Sequence, residues 1–268
     1  MSSNERRILV NPLIIRDGRY HIDFNDFEKK IKDKKTTMFL LCSPHNPVGR
    51  VWNKEELTRM GKLCVKHNVF VVSDEMHSDL VYKPFKHIPF PTISKKNSMI
   101  SAVCSAPGKT FNLAGLQTSN IIIANSVLRK RLKLFLYKRN GLVEPNQFGM
   151  AASIAAYKYG EPWLEQALNY IYENYLFLKS FFQKKLPEIR IFDLEATYLV
   201  WLDFNALNFS LETLRKVIFQ KAKVGLNDGR TFGEKEGSGF YRINIACPRS
   251  ILKKALIRIA AAVQSEKK

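Results

Sequence analysis

The chain has 268 residues, 46% of them hydrophobic and 25% charged, with 43 Lys+Arg against 24 Asp+Glu for a formal net charge of +19. That balance excludes wholesale disorder, and the length allows one large or two modest domains with a core of their own. No apolar run approaches the ~18 residues of a membrane-crossing helix, and the start, MSSNERRILVNPLII, has too short an apolar stretch for a signal peptide. Cys42, Cys64, Cys104 and Cys247 show no C-x-x-C spacing, which argues against a structural zinc site or a disulfide framework. A soluble, cytoplasmic protein with reduced thiols is the expectation.

In chain order, four short apolar runs read as buried strands: residues 37–42 (TMFLLC), 69–73 (VFVVS), 99–104 (MISAVC) and 120–124 (NIIIA). Between the first two lies NKEELTRMGKLCVKHN, a helix that Asn53 can cap and Glu56 can answer three residues on. Strand, helix, strand within about thirty residues is the unit that builds a parallel sheet. Residues 83–96 hold three prolines and read as loop. Residues 127–140 (VLRKRLKLFLYKRN) carry the densest basic cluster, read as an amphipathic helix with a solvated basic face. A long helix follows over residues 163–185, stopped by Pro187. Next come a strand at 197–204, a helix at 211–223 and a glycine-rich loop at 225–239. YRINIAC, a helix at 251–263 and a polar tail at 265–268 complete the chain. The expected architecture is α/β. A mostly parallel sheet domain over residues 1–165 is followed by a smaller α+β domain over residues 166–268.

Ligands of an open parallel sheet bind beyond the carboxyl ends of its strands. The first run is followed by SPHNPVGR, with His45 and Asn46. The second is followed by SDEMHSD, with Asp74, Glu75, His77 and Asp79, and the third by SAPGKTFN, with Ser105, Gly108 and Lys109. An amide, a carboxylate and an amine thus meet at one edge. A lysine there can serve as a Schiff-base nucleophile, a carboxylate can keep a ring nitrogen protonated, and an amide can bond a phenolic oxygen. Together these match the needs of pyridoxal phosphate. Each residue has a plainer explanation. Lys109 alone would be a surface lysine, Asn46 a turn former before Pro47, and Asp74 a helix cap. The acids and histidine of SDEMHSD also suggest a metal, but no second cluster accompanies them, and no metal is expected. His45, His67, His77 and His87 read as hydrogen-bonded loop or strand-end residues. Basicity is the only support for nucleic-acid binding, and neither nucleic acid nor membrane is expected as a partner.

Taken together and in order, SPHNPVGRVW, VVSDEMHSDLVY, SAPGKTFNLAGLQTSNIII and FYRINIACPRS resemble the class I/II aminotransferase superfamily of fold-type-I pyridoxal-phosphate enzymes. PHNP, the DE-x-H-x-D block and KTFNLAGLQ resemble its cystathionine β-lyase, or cysteine-S-conjugate β-lyase, branch. The resemblance implies that Lys109 forms the imine with the cofactor and later moves the Cα proton. It implies that Asp74 pairs with the pyridinium nitrogen, Asn46 bonds the ring hydroxyl and Arg242 clamps the substrate carboxylate. His77 would be a further group facing the ring hydroxyl. The implied reaction releases thiol, pyruvate and ammonia from an amino-acid substrate; an aminotransferase and a non-catalytic fragment are the alternatives. Two departures stand out. Gly108 replaces a common serine, for which Ser105 could substitute. The chain also lacks roughly the first third of the family pattern, with its phosphate-binding loop, an aromatic over the ring and strands of the sheet. An uncovered apolar sheet edge is therefore expected, along with a homodimer or a separately encoded N-terminal part to cover it.

Overall fold

The computed structural model describes residues 8–139 and 146–267. MSSNERR, Asn140 at the end of the basic run and Lys268 of the polar tail lie outside them. The chain opens on a hairpin, β1 (Leu13–Arg16) and β2 (Arg19–Ile22), followed by α1 (Phe24–Ile31), whose first turn Asp23 caps. Then β3 (Met38–Cys42), α2 (Lys54–Lys66) and β4 (Phe70–Asp74) form the parallel unit. The capping box of α2 is complete: Glu56 N–H donates to Asn53 Oδ1 at 2.8 Å and Asn53 N–H to Glu56 Oε2 at 2.9 Å. Leu57, Met60 and Cys64 turn inward together and pack on Leu41, Val69 and Val71.

Residues 83–96 are less loop than expected. A 3-10 turn (Phe90–Ile93) buries Phe90, and α3 (Lys95–Met99) starts with Ser94 as its cap. Next are β5 (Ser101–Ser105), the single turn α4 (Pro107–Thr110) and β6 (Asn120–Ile122). The sheet order is β3-β4-β5-β6, with three parallel strands and β6 antiparallel at one edge. The basic run forms α5 (Ser126–Leu134), continued by a π-helical turn (Phe135–Arg139). None of the α5 residues is buried, because Leu128 and Leu132 are only half covered and Val127 and Leu134 are exposed. The helix was expected; a buried apolar face is absent.

After α6 (Gln147–Tyr159) and the 25-residue α7 (Glu161–Lys185), the chain enters a second, wholly antiparallel sheet. Its strands are β7 (Arg190–Ile191), β8 (Leu199–Asp203), β9 (Asn227–Asp228) and β10 (Phe240–Asn244), in the order β7-β8-β10-β9. The expected helix at 211–223 is split into α8 (Leu211–Arg215) and a π-helical stretch (Lys216–Lys221). The last helix, α9 (Arg249–Glu266), runs into the expected tail. Leu178 and Phe182 of α7 meet Leu256 and Ile259 of α9 over Val200, Leu202 and Ile243. Each such side chain contributes about 1.5–3 kcal/mol on burial. The outer strands of the first sheet remain bare by comparison: Leu40 is 72% exposed, and Met38, Ile121 and Ile122 are exposed too. No helix among the described residues is long and apolar enough to cross a membrane.

Candidate active site

The parallel register places Asp74 between Cys42 and Cys104 at the tips of three neighbouring strands. Beyond β3 the chain turns back on itself. His45 N–H donates to Arg50 O at 2.7 Å, Gly49 N–H to His45 O at 2.8 Å, and Trp52 Nε1 to Cys42 O at 2.8 Å. That turn presents Asn46. Beyond β5, Pro107 starts the turn that presents Lys109. Lys109 is exposed and makes no ion pair among the described residues. Asp74 accepts the Met76 N–H on Oδ1 at 3.2 Å, and its second oxygen makes no hydrogen bond among the described residues. It closes a tight local turn rather than capping a helix.

A long-range bond closes the site. Arg242 lies in β10 of the second sheet, 196 residues from Asn46, and its Nη1 donates to Asn46 Oδ1 at 2.7 Å. Nη2 donates to Asn227 Oδ1 at 2.9 Å, and the guanidinium lies 4.7 Å from the centre of the Phe232 ring. Burial lowers the Arg242 pKa from its ordinary value. His77 packs edge-on to Tyr198, with ring centres 5.7 Å apart. Burial, then the positive charge of Lys109, push His77 down to about 4; Asp74 opposes the shift and Arg242 adds to it. The charges of Lys109, Asp74 and Arg242 are thus all felt at this imidazole. A cleft of about 290 Å³ opens at Lys109, lined also by Met76, Ala106, Gly108, Ala114, Gln117, Thr118 and Ser119.

Ser105 is the last residue of β5. It follows Cys104, which is the register partner of Asp74, so strand alternation turns it to the other sheet face. It makes no side-chain hydrogen bond among the described residues. A Cβ on Gly108 would come within 3.1 Å of Ala114 Cα, so a serine there would press the Lys109 turn against the next one.

The site loops are braced from the second sheet. Glu195 and Ala196 donate their N–H groups to Gly49 O at 3.1 and 3.0 Å, and Tyr82 N–H donates to Glu195 O at 3.0 Å. The buried Glu195 carboxylate accepts Arg19 Nε at 2.7 Å, Arg50 Nη1 at 3.2 Å and Val51 N–H at 2.8 Å. Thr197 has φ +71°, a region that β-branched residues rarely take. Its N–H bonds Leu80 O at 2.7 Å and its carbonyl accepts Tyr82 Oη at 2.7 Å, which fixes Tyr198 beside His77. Asn227, Phe232 and Tyr198 were not foreseen. The first two lie in the glycine-rich segment read as loop, and the third lies at the start of an expected strand.

Among the described residues, His87 of the four weighed histidines has its hydrogen bond, to Glu75 Oε2 at 2.8 Å. His45 Nδ1, His67 Nε2 and His77 Nδ1 are buried without a partner, as is Arg242 Nε. Burial and then Arg50 also push His45 down to about 4. Both His45 and His77 are thus neutral near pH 7. Below about pH 6.5 the unfolded chain protonates these rings, while the folded chain holds off until about pH 4. Their contribution is therefore intact above pH 6.5 and lost as pH falls toward 4. Urea midpoints at pH 7, 5.5 and 4.5 should fall in that order, and His77→Asn should flatten the fall. Among the described residues no three His, Cys, Asp or Glu side chains are grouped to hold a metal ion, and the four cysteines are free thiols.

This geometry sits within a known family. Residues 13–259 match the model of aminotransferase class I and II, and the chain belongs to that family. Among curated relatives, it is 44% identical over 263 residues to the cystathionine β-lyase PatB of Bacillus subtilis, covering 98% of this chain and 67% of PatB. It is 34% identical to the protein MalY of Escherichia coli, covering 99% and 67%. Among solved structures it superposes on cystalysin from Treponema denticola, which contains a pyridoxal 5'-phosphate cofactor. There the TM-score is 0.91 with 37% identity, covering 95% of this chain and 64% of cystalysin. A PLP-bound putative aminotransferase from Clostridium difficile gives a TM-score of 0.92 with 44% identity, covering 96% and 66%. The chain spans about two thirds of the length of these relatives.

Proposed function

We propose that the chain carries the core of a pyridoxal-phosphate-dependent C–S β-lyase, which splits cystathionine or another cysteine S-conjugate into thiol, pyruvate and ammonia. The observation that carries this is that Asp74 ends β4 while Asn46 and Lys109 follow the neighbouring strands β3 and β5, with Arg242 bonded to Asn46. The likeness to PatB and cystalysin supports the lyase over other reactions of the family. The donor set suits the cofactor. Among the described residues it offers an amine in no ion pair at the cleft, a carboxylate with one oxygen unbonded, and two buried nitrogens without hydrogen-bond partners, His77 Nδ1 and Arg242 Nε.

Lys109 would bond the aldehyde, Asp74 would hold the ring nitrogen protonated through its opposite charge, and Asn46 would meet the ring hydroxyl. Neutral His77 offers a nitrogen there without adding positive charge. Bound pyridoxal phosphate supplies a ring that takes up the electron pair left when the substrate Cα–H bond breaks. Lys109 Nζ would accept that proton. Arg242 takes the substrate α-carboxylate in its planar fork and so fixes which bond at Cα faces the lysine. The net reaction would cleave Cβ–S with the electron pair and a proton leaving on sulfur as thiol, and take up water to give pyruvate and ammonia.

The division near residue 165 belongs to the same proposal, with Arg242 reaching from the smaller part into the larger. So does a homodimer, supported by the bare apolar residues of β3 and β6. Free thiols suit a cytoplasmic site of action. L-cystathionine supplied with pyridoxal phosphate and no keto acid tests the reaction. Pyruvate and thiol released in equal amounts support the lyase. A strict need for a keto acid would make the chain an aminotransferase, and no product under either condition would make it a non-catalytic fragment.

A further inference from the structure

The last acid of SDEMHSD has no part in the chemistry above, yet it holds the turn that does. Asp79, half-buried in the loop after β4, accepts Thr110 Oγ1 on Oδ2 at 2.7 Å, and Tyr157 Oη of α6 reaches the same oxygen at 3.4 Å. Thr110 is 3% exposed and directly follows Lys109. The turn α4 has four residues, too few to hold a helical shape unaided. Its backbone closes through Phe111 N–H to Pro107 O at 2.8 Å and Leu113 N–H to Gly108 O at 3.2 Å. Beyond it the Phe111 ring packs edge-on against Tyr157, with centres 5.3 Å apart, and tilts toward Trp163 at 6.1 Å. Burial and then Asp79 raise the Tyr157 pKa to about 12, so its hydroxyl stays a donor to the carboxylate.

We propose that Asp79 is a positioning residue: by holding the Thr110 hydroxyl it fixes the turn that aims Lys109 into the cleft. The contact is a hydroxyl bonded to a carboxylate, stronger than a neutral pair, and its Thr110 end is sheltered from water. Without it, α4 keeps only its two backbone bonds and the ring contacts of Phe111, and Lys109 Nζ samples a wider volume. A misplacement of about an ångström is enough to slow bond formation strongly.

Hydrogen exchange on the cofactor-free full chain reads the turn directly. Asp79→Ala and Thr110→Val should each raise exchange at the Phe111 and Leu113 amides about tenfold, with β4 and β5 unchanged. Asp79→Asn keeps an acceptor and should restore most of that protection. The double variant should be no worse than either single, since both remove one bond. A second readout rests on the reading of Lys109 as the amine that takes pyridoxal phosphate. The rate at which borohydride traps the cofactor on Lys109 should fall about tenfold in Asp79→Ala and Thr110→Val. If Asp79→Ala fails to fold, Thr110→Val decides alone. Exchange at wild-type rates in Thr110→Val would overturn the positioning role. Wild-type protein that traps no cofactor on Lys109 would instead overturn the proposed function, with the exchange result still deciding the role of Asp79.

Discussion

Lys109→Ala should abolish both the visible absorbance gained with pyridoxal phosphate and the release of pyruvate from L-cystathionine, with turnover down by at least about 10³-fold. The loss is expected to be large because one amine performs two tasks, bonding the aldehyde and accepting the Cα proton. Alanine leaves neither. Lys109 is exposed and unpaired among the described residues, so the fold should lose little, and urea midpoints should match wild type. Lys109→Arg makes a useful companion, because it retains the charge but cannot form the bond. Turnover in the arginine variant at even a tenth of the wild-type rate would show that charge alone suffices.

Arg242→Ala should cost about 10²–10³-fold in kcat/KM, carried mainly by KM. A bidentate, charge-assisted contact to the substrate carboxylate is worth roughly 3–4 kcal/mol when its two bonds are summed, and each 1.4 kcal/mol is tenfold. Asn46 and Asn227 both accept from this guanidinium, so its removal also unties the two sheets where they meet. Arg242→Lys should recover only part of the loss, since an ammonium cannot reproduce the planar fork and its stacking on Phe232. The split between parameters is the decisive measurement. A fall confined to kcat, with KM unchanged, would remove Arg242 from substrate binding.

Much of the sheet domain was legible because buried parallel strands read as unbroken apolar runs, which is how β3, β4 and β5 announce themselves. The N-terminus of α2 was equally plain, since its capping box depends on two residues three apart. The β1–β2 hairpin carried a signal in Asp17-Gly18, both with positive φ, but its four-residue strands are too short and half exposed to stand out. The α6 helix has apolar residues on every side, many of them exposed, so no periodic face marks it. Strand-tip logic put Asn46, Asp74 and Lys109 beyond the ends of adjacent strands, and that placement follows from sheet topology. The partners of Arg242 could not be found that way. Asn227, Phe232 and the Glu195 brace act across long separations in sequence, and nothing local distinguishes them from ordinary loop residues.

The claim that Lys109 is the cofactor-bearing amine is tested most directly by locating the covalent label. The full chain is incubated with pyridoxal phosphate, reduced with borohydride, digested and mapped by mass spectrometry. The account predicts a single dominant pyridoxyl group in the peptide containing Lys109, diminished by Asp74→Ala and absent from Lys109→Ala. A label scattered over the surface lysines, unchanged in both variants, would contradict it.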